Sequence, residues 1–459
     1  MEATDNQIIT RYIEQQRAFF ATHATKSISF RLKQLKRLKK AILTYQRQIE
    51  DALWKDLHKS PEESFLTEIS IVTGEIENHI RHLRKWARPQ RVSTPIHLFP
   101  SRSKILYEPL GVALIVAPWN YPFQLLINSL VGAISSGCCA ILKPSPYTPT
   151  IATLMEKMLA ELFDTNYVAT VQGNRDTNTF LFHQRFDLIF LTGSPYLGKV
   201  AMKAASEHLT PMVLELGGKS PCIVDEDAAL DVAAKRIVWG KLINAGQTCI
   251  APDYLFVHHA VKDRLLQKII AYTEKMYGKE IKKSRFYPRI VNEKAVSRLS
   301  ALLKEGKIIY GGDIDEKERF ISPTLIDEVQ PDFAIMQEEI FGPLLPVLSF
   351  EHMDEVLQYI NKHEKPLAFY YFGKNKKAKE VLYKSTSGGA CVNDTLMHIT
   401  NHHLPFGGVG NSGMGKYHGK DSFLAFSNRR AVVTTPTQLD LPLKYVPFTY
   451  FKWIKKILS

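Results

Sequence analysis

At 459 residues, 45% hydrophobic and 23% charged, the chain has the balance of a soluble globular protein with room for two or three cores, which excludes disordered and fibrous classes. Five cysteines without a CxxC pair, and no HExxH stretch, exclude a disulfide framework and give no metal site, so a reducing cytoplasm is the expected home. The net charge of +13 raises nucleic acid as a partner, but no aromatic-basic interleaving or nucleic-acid motif accompanies it, and none is expected to bind.

The start, Met1-Glu-Ala-Thr-Asp-Asn6, lacks the basic and apolar blocks of a secretory signal. Residues 4–88 read as helical, with Thr4 and Gln7 as a capping box and a clearer one at Ser60-Pro-Glu-Glu63, where Pro61 takes the first helical position. Arg31 to Lys40 is basic, yet Leu32, Leu35, Leu38 and Ile42 recur at helical spacing and leave the cations on a solvated face. Ile69, Val72, Ile76, Ile80 and Leu83 form a further core stripe. Pro89, Pro95 and Pro100 then predict an extended arm over 89–103 that crosses between domains or subunits.

From Lys104 short apolar runs alternate with helical segments. Gly111–Ala117, Cys138–Leu142, Tyr167–Val171 and Asp187–Leu191 are apolar enough to be strands buried on both faces, and the intervals at 123–136, 150–163 and after Pro195 suit crossover helices. The pattern is α/β, a doubly wound sheet that binds ligands past the carboxyl ends of its strands. Three such ends carry unusual residues: Pro118-Trp-Asn-Tyr-Pro122, Lys143-Pro-Ser-Pro146 and Thr192-Gly-Ser-Pro195, the last with a serine placed to cap a helix that favours phosphate. Together they mark a dinucleotide site. Further on, Glu215 sits in the apolar strand end Leu214-Glu-Leu216, where burial raises a carboxyl toward the range of a general base. Of the five cysteines, Cys138, Cys139, Cys222 and Cys391 read as core, whereas Cys249 lies in the polar loop Asn244-Ala-Gly-Gln-Thr-Cys249. That is the place of a nucleophile.

Pro118-Trp-Asn120, Phe190-Leu-Thr-Gly-Ser194, Leu214-Glu-Leu-Gly-Gly218, Gly246-Gln-Thr-Cys249, Gln337-Glu-Glu-Ile-Phe-Gly-Pro343 and Pro405-Phe-Gly-Gly408 resemble, in this order, the motif set of the aldehyde dehydrogenase superfamily. The likeness runs from the first helix to Val433, and Asn411-Ser-Gly-Met-Gly-Lys-Tyr-His418 is most similar to class 3, the fatty and aromatic aldehyde dehydrogenases. It implies a Rossmann-like cofactor domain (1–88 and 104–216), an α/β catalytic domain (217–405) and bridging or oligomerisation segments (89–103 and 406–440), with a strand over Phe423–Val433 pairing across a homodimer. It implies NAD(P)-dependent oxidation of medium or long aliphatic, or aromatic, aldehydes: Cys249 attacks, Asn120 holds the oxyanion and Glu215 activates water.

For the cofactor the resemblance implies Lys143 on the adenosine ribose, Trp119, Gly193 and Ser194 near the pyrophosphate, and Glu339 and Phe341 on the nicotinamide side, with Glu338 the neighbouring alternative. Many relatives carry a Glu three residues after the lysine; Pro146 stands there, and NAD use with tolerance of NADP is the expectation. A coenzyme A-acylating relative and a non-catalytic protein are the two other classes, against which Glu215 and the set Cys249, Asn120 and Glu215 argue in turn. His402 and His403 are read as loop residues, with the border of the substrate mouth as the alternative, and Lys376 and Lys377 as solvated. The basic, aromatic tail over 441–459 is too short to span a bilayer and suits either a membrane interface or a partner subunit.

Overall fold

The computed structural model describes residues 3–458; Met1, Glu2 and Ser459, the ends of the expected first and last segments, lie outside the described residues, as do the side chains of Leu443, Ile454, Ile457 and Leu458 in the tail. Strands Val112–Val116, Cys139–Lys143, Val168–Thr170, Leu188–Gly193 and Met212–Leu216 form the parallel part of a six-stranded sheet, and Gly413–Met414 adds an antiparallel edge beside Met212–Leu216. Every residue of Val112–Val116 and Cys139–Lys143 is buried, which is why these runs read as continuously apolar rather than alternating. The chain first lays strands to one side of Val112–Val116 and then returns to its other side, so the strand order reverses between Val112–Val116 and Leu188–Gly193. At such a reversal the loops after neighbouring strands splay apart and open a crevice.

Helices Asn6–Ala21, Ile28–Leu57 and Ser70–Trp86 come before this sheet and Pro122–Ser136 and Pro149–Leu162 connect its strands. Leu35, Leu38 and Ile42 are fully buried, as the spacing of the basic helix requires. Ser60 caps the turn Pro61–Ser64 through the Glu63 N–H, as expected, but at the start of the chain Asp5, not Thr4, is the cap: its carboxylate takes the Gln7 N–H at 2.7 Å, and Thr4 pairs with Gln172 instead. A charged acceptor next to the orphan N–H outcompetes the hydroxyl one residue earlier.

A second sheet of seven strands contains Pro221–Val224, Tyr254–His258, Leu344–Phe350 and Ala368–Phe372 at its centre. The arm differs from a simple extended linker: Gln90–Val92 and Arg102–Pro109 pair with each other, and Ser427–Thr434 pairs antiparallel with Arg102–Pro109 over its whole length. The expected strand Phe423–Val433 therefore starts later. Lys420–Ala425 is helical because Phe423 and Phe426, three apart, must both enter the core; Phe423 packs on Trp86 and Tyr107, and Phe426 stacks on Phe190. Lys377 is also not simply solvated, since it reaches Asp225 and Glu226. A helix at Arg175–Phe182, capped by Asn174, was not foreseen between the third and fourth strands. Among the described residues no helix is long and apolar enough to cross a membrane.

Candidate active site

Two chain reversals bring the site together. Helix Leu230–Leu242 ends in Asn244, Ala245 and Gly246, whose φ values of 52°, 52° and 76° are left-handed and turn the chain sharply toward Cys249. Such a turn is strained for residues bearing a Cβ, so it needs external bonds. It has them. Gln247 accepts from Val291 N–H at 2.9 Å and donates to the carbonyls of Asn244 and Arg289, each at 3.0 Å, while the Asn244 N–H is held by the Glu63 carboxylate at 2.8 Å.

The second reversal is Pro118–Pro122, after strand Val112–Val116. Asn120 is buried, and its side-chain amide donates to the Gln247 carbonyl at 3.1 Å, two residues from the thiol. Tyr121 Oη and Thr248 Oγ1 are 2.7 Å apart and tie the same two loops. Glu215 comes from the end of strand Met212–Leu216, in register with Thr192 on one side and Gly413 on the other. The Cys249 thiol donates to Glu215 Oε1 at 3.3 Å and Tyr417 donates to Oε2 at 3.1 Å.

Burial raises the Glu215 carboxyl, opposed by the hydrogen bonds from Cys249, Tyr417 and Thr192. Burial also raises the Cys249 thiol, and the Glu215 charge beside it raises it further. The thiol thus stands within reach of a carboxyl able to accept its proton when sulfur attacks an electrophile. The other four cysteines are buried, as the sequence suggested, while Cys249 keeps partial exposure. Cys249 and Glu215 line a cavity of about 520 Å³ whose other walls are mostly apolar, including Leu125, Trp239, Phe286 and Met397.

A second cleft, of about 630 Å³, is lined by Pro195, Gly217, Gly218, Glu339 and Ser412; of the expected cofactor residues Glu339 lines it, and Trp119, Lys143, Gly193, Ser194 and Phe341 do not. Ser194 caps helix Pro195–Ala205 through the Leu197 N–H at 3.3 Å, and Gly193 ends the strand before it, so the positive end of a helix opens beside the cleft. Lys143 closes its strand fully buried, its Nζ donates to the Pro144 carbonyl at 2.9 Å, and burial lowers it to about 8. Trp119 and Phe341 meet edge to face, ring centroids 5.4 Å apart.

Of the two adjacent carboxylates, Glu338 turns outward to Arg298 at 3.0 Å, whereas the Glu339 carboxyl lies against Gly217, where an added Cβ would come within 2.0 Å of it. Burial pushes Glu339 up to about 8, with Asp253 adding to the rise. A buried amine with spare hydrogens, an inward carboxyl, a capped helix terminus and a glycine floor fit a dinucleotide. Among the described residues no cluster able to hold a metal occurs.

Tyr417 and Lys59 escaped the sequence reading. Tyr417 lies inside the quoted Asn411–His418 stretch, and its neighbours Gly415 and Gly419 were the available sign that a backbone turn delivers it. His402 and His403 both lie in a turn, as expected, and neither lines the apolar cavity; His402 Nδ1 pairs with the buried Glu75 at 2.8 Å, and His403 is exposed.

Residues 1–432 match the aldehyde dehydrogenase family. The chain is 46% identical over 452 residues to a 4,4'-diaponeurosporen-aldehyde dehydrogenase of Staphylococcus aureus (strain NCTC 8325 / PS 47), covering 98% of each, and 40% identical to a dimeric NADP-preferring aldehyde dehydrogenase of Canis lupus familiaris, covering 95% of this chain and 96% of that one. A solved structure of a Staphylococcus aureus AldH in a substrate-bound state superimposes with a TM-score of 0.97 at 45% identity, over 98% of this chain and 99% of that one. With the motifs, the fold and the thiol–carboxylate pair in agreement, the chain belongs to the aldehyde dehydrogenase family, on its class 3 side, and oxidises aldehydes with NAD(P).

Proposed function

We propose that Cys249 is the nucleophile, Asn120 the oxyanion donor and Glu215 the base of this oxidation, on medium or long aliphatic, or aromatic, aldehydes. The observation that carries the reading is the 3.3 Å bond from the Cys249 thiol to Glu215 Oε1 on the wall of an apolar cavity. An aldehyde entering that cavity loses water from its chain, which favours apolar substrates in proportion to buried surface. The thiol proton passes to Glu215 as sulfur adds to the carbonyl carbon; the carbonyl π pair moves to oxygen, where the Asn120 amide and the Cys249 N–H hold the charge. Bound NAD(P) supplies the acceptor for the hydride that this carbon gives up. The Cys249 thioester is then hydrolysed: Glu215, having shed its proton to solvent, takes one from a water whose oxygen attacks the acyl carbon, and the Cys249 sulfur leaves.

Residues 1–88 and 104–216 would hold the dinucleotide, through Lys143, Trp119, Gly193 and Ser194, and 217–405 the nucleophile, with Glu339 and Phe341 on the nicotinamide side. Pro146 is exposed and offers no carboxylate against a 2′-phosphate. Initial rates with the two dinucleotides test this: a preference for NAD of about a thousandfold, roughly 4 kcal/mol, would overturn tolerance of NADP. For the whole reading, Cys249→Ser should lower turnover of a straight-chain aldehyde by more than about a thousandfold; dinucleotide reduction at the parent rate would sink it.

We place the enzyme in the cytoplasm as a homodimer joined through the exposed strand Ser427–Thr434, which leaves one edge unpaired in this chain. Val446, Phe448, Phe451 and Trp453 in the tail are exposed, and a partner subunit is the surface we assign to them, with peripheral membrane contact the competing one. Flotation with anionic liposomes should be unchanged by removing residues after Leu441; loss of flotation on removal would assign the tail to lipid.

A further inference from the structure

Beneath the two loops lies a charged pair that the chemistry above leaves unused. Lys59 and Glu68 have no exposed side-chain surface and stand 2.6 Å apart, Nζ to Oε1. Such a pair adds little net stability, because desolvation offsets the attraction, while removing one partner strands the other. Its remaining bonds are all spent on a single stretch of chain. Lys59 Nζ donates to the Asn120 carbonyl at 3.1 Å and lies 4.3 Å from the centre of the Tyr121 ring.

The second oxygen of Glu68 accepts the N–H groups of Phe123 at 2.9 Å and Gln124 at 3.1 Å. These are orphan donors at the start of helix Pro122–Ser136, whose N-cap residue, Tyr121, offers no side-chain cap. Glu68 lies in the π-helical turn Phe65–Ile69, which inserts an extra residue into the helical ladder and re-aims the side chains around it. From the opposite side Asn244 Nδ2 donates to the same Asn120 carbonyl at 2.8 Å. The peptide that bears the Asn120 amide is therefore gripped by Lys59 and Asn244 together, and the helix that follows it by Glu68.

Resting on Asn120 as the oxyanion donor, we infer that Lys59 and Glu68 are positioning residues for it: they fix the 120–124 backbone so that the Asn120 amide points at the oxygen of the carbonyl bound to Cys249. An amide free to drift by an ångström loses most of its advantage in the transition state, about a hundredfold in rate.

The test uses the full chain, a straight-chain medium-length aldehyde and NAD, with Lys59→Met, Glu68→Gln, Lys59→Arg, Asn120→Ala and the double variant Lys59→Met/Asn120→Ala. Turnover, dinucleotide affinity and the rate of Cys249 alkylation by iodoacetamide are measured for each. Lys59→Met and Glu68→Gln should lower kcat by about tenfold to a hundredfold, with affinity and alkylation within about twofold of the parent. Lys59→Met should add nothing in the Asn120→Ala background, and Lys59→Arg should recover most of the rate. Full turnover in Lys59→Met beside a slow Asn120→Ala would overturn the positioning role and leave the reading of Asn120 standing; full turnover in Asn120→Ala would remove that reading itself. Additive losses, or alkylation and affinity falling with the rate, would also overturn the role. Should Lys59→Met fail to fold, Glu68→Gln, which keeps an acceptor for both N–H groups, decides by the same criteria.

Discussion

Glu215 is asked to take a proton twice, and its surroundings set when it can. Its raised carboxyl must be ionised to act as base, so turnover should rise with pH through that raised value. Tyr417 stabilises the charged form by donating to Oε2, so Tyr417→Phe removes a lowering influence and should move this limb of the kcat profile to higher pH. A profile that stays in place would show that the phenol does not act on the base. Glu215→Gln should still release one reduced dinucleotide per site, in a burst slower than the parent's because the thiol must then lose its proton to solvent, while steady-state turnover falls about a hundredfold or more as the thioester waits for water. A stopped-flow burst followed by a near-flat phase is the expected trace.

At the level of elements, the nucleophile loop depends on a backbone path that few residues tolerate. Gly246 has φ 76°, and an added Cβ would lie 2.2 Å from the Gly342 carbonyl. Gly246→Ala should therefore cost at least about 1 kcal/mol by urea melt, and lower activity further than that loss explains. The cap at Ser60 is simpler: Ser60→Ala should cost about 1 kcal/mol. These elements were legible to different degrees. Strand runs such as Val112–Val116 are so apolar that burial leaves them no other place, and Pro61 after a serine fixes a helix start whatever surrounds it. The segment Lys420–Ala425 was not legible as a helix, because its Phe423 and the Phe426 that follows it are β-prone and matter only through what they pack on, Trp86 and Phe190, some hundreds of residues away in sequence.

Over the whole molecule, Glu75 joins the amino-terminal helices to the carboxyl-terminal segment that delivers Tyr417. Its carboxylate takes His79 Nε2 at 3.0 Å, His402 Nδ1 at 2.8 Å, the Gly419 N–H at 2.6 Å and the Ser422 hydroxyl at 3.3 Å. Burial by itself would raise this carboxyl, but His79, His402 and His418 outweigh it and hold it far below the ordinary range. Glu75 stays ionised in both folded and unfolded states above its ordinary value of 4.5, so its contribution is lost only as pH falls into the acid. His402, raised by its bond to Glu75, contributes stability that is complete below its ordinary 6.5 and is lost as pH rises through the raised value. Urea midpoints of the parent should exceed those of Glu75→Gln by most near about pH 6 and by less near about pH 9. A gap that widens toward alkaline pH would refute this assignment.

What the amino-acid order decided by itself is whatever depends on near neighbours: periodic apolar runs, capped helix starts, and a lone thiol in a polar turn that glycine and proline keep from becoming helix. Which carboxylate of Glu338 and Glu339 faces inward, which tyrosine holds Glu215, and that Lys59 and Glu68 reach the Asn120 peptide were decided only by the assembled chain. Each of these depends on the direction of a side chain across segments brought together from distant positions, and no local pattern encodes a direction in space.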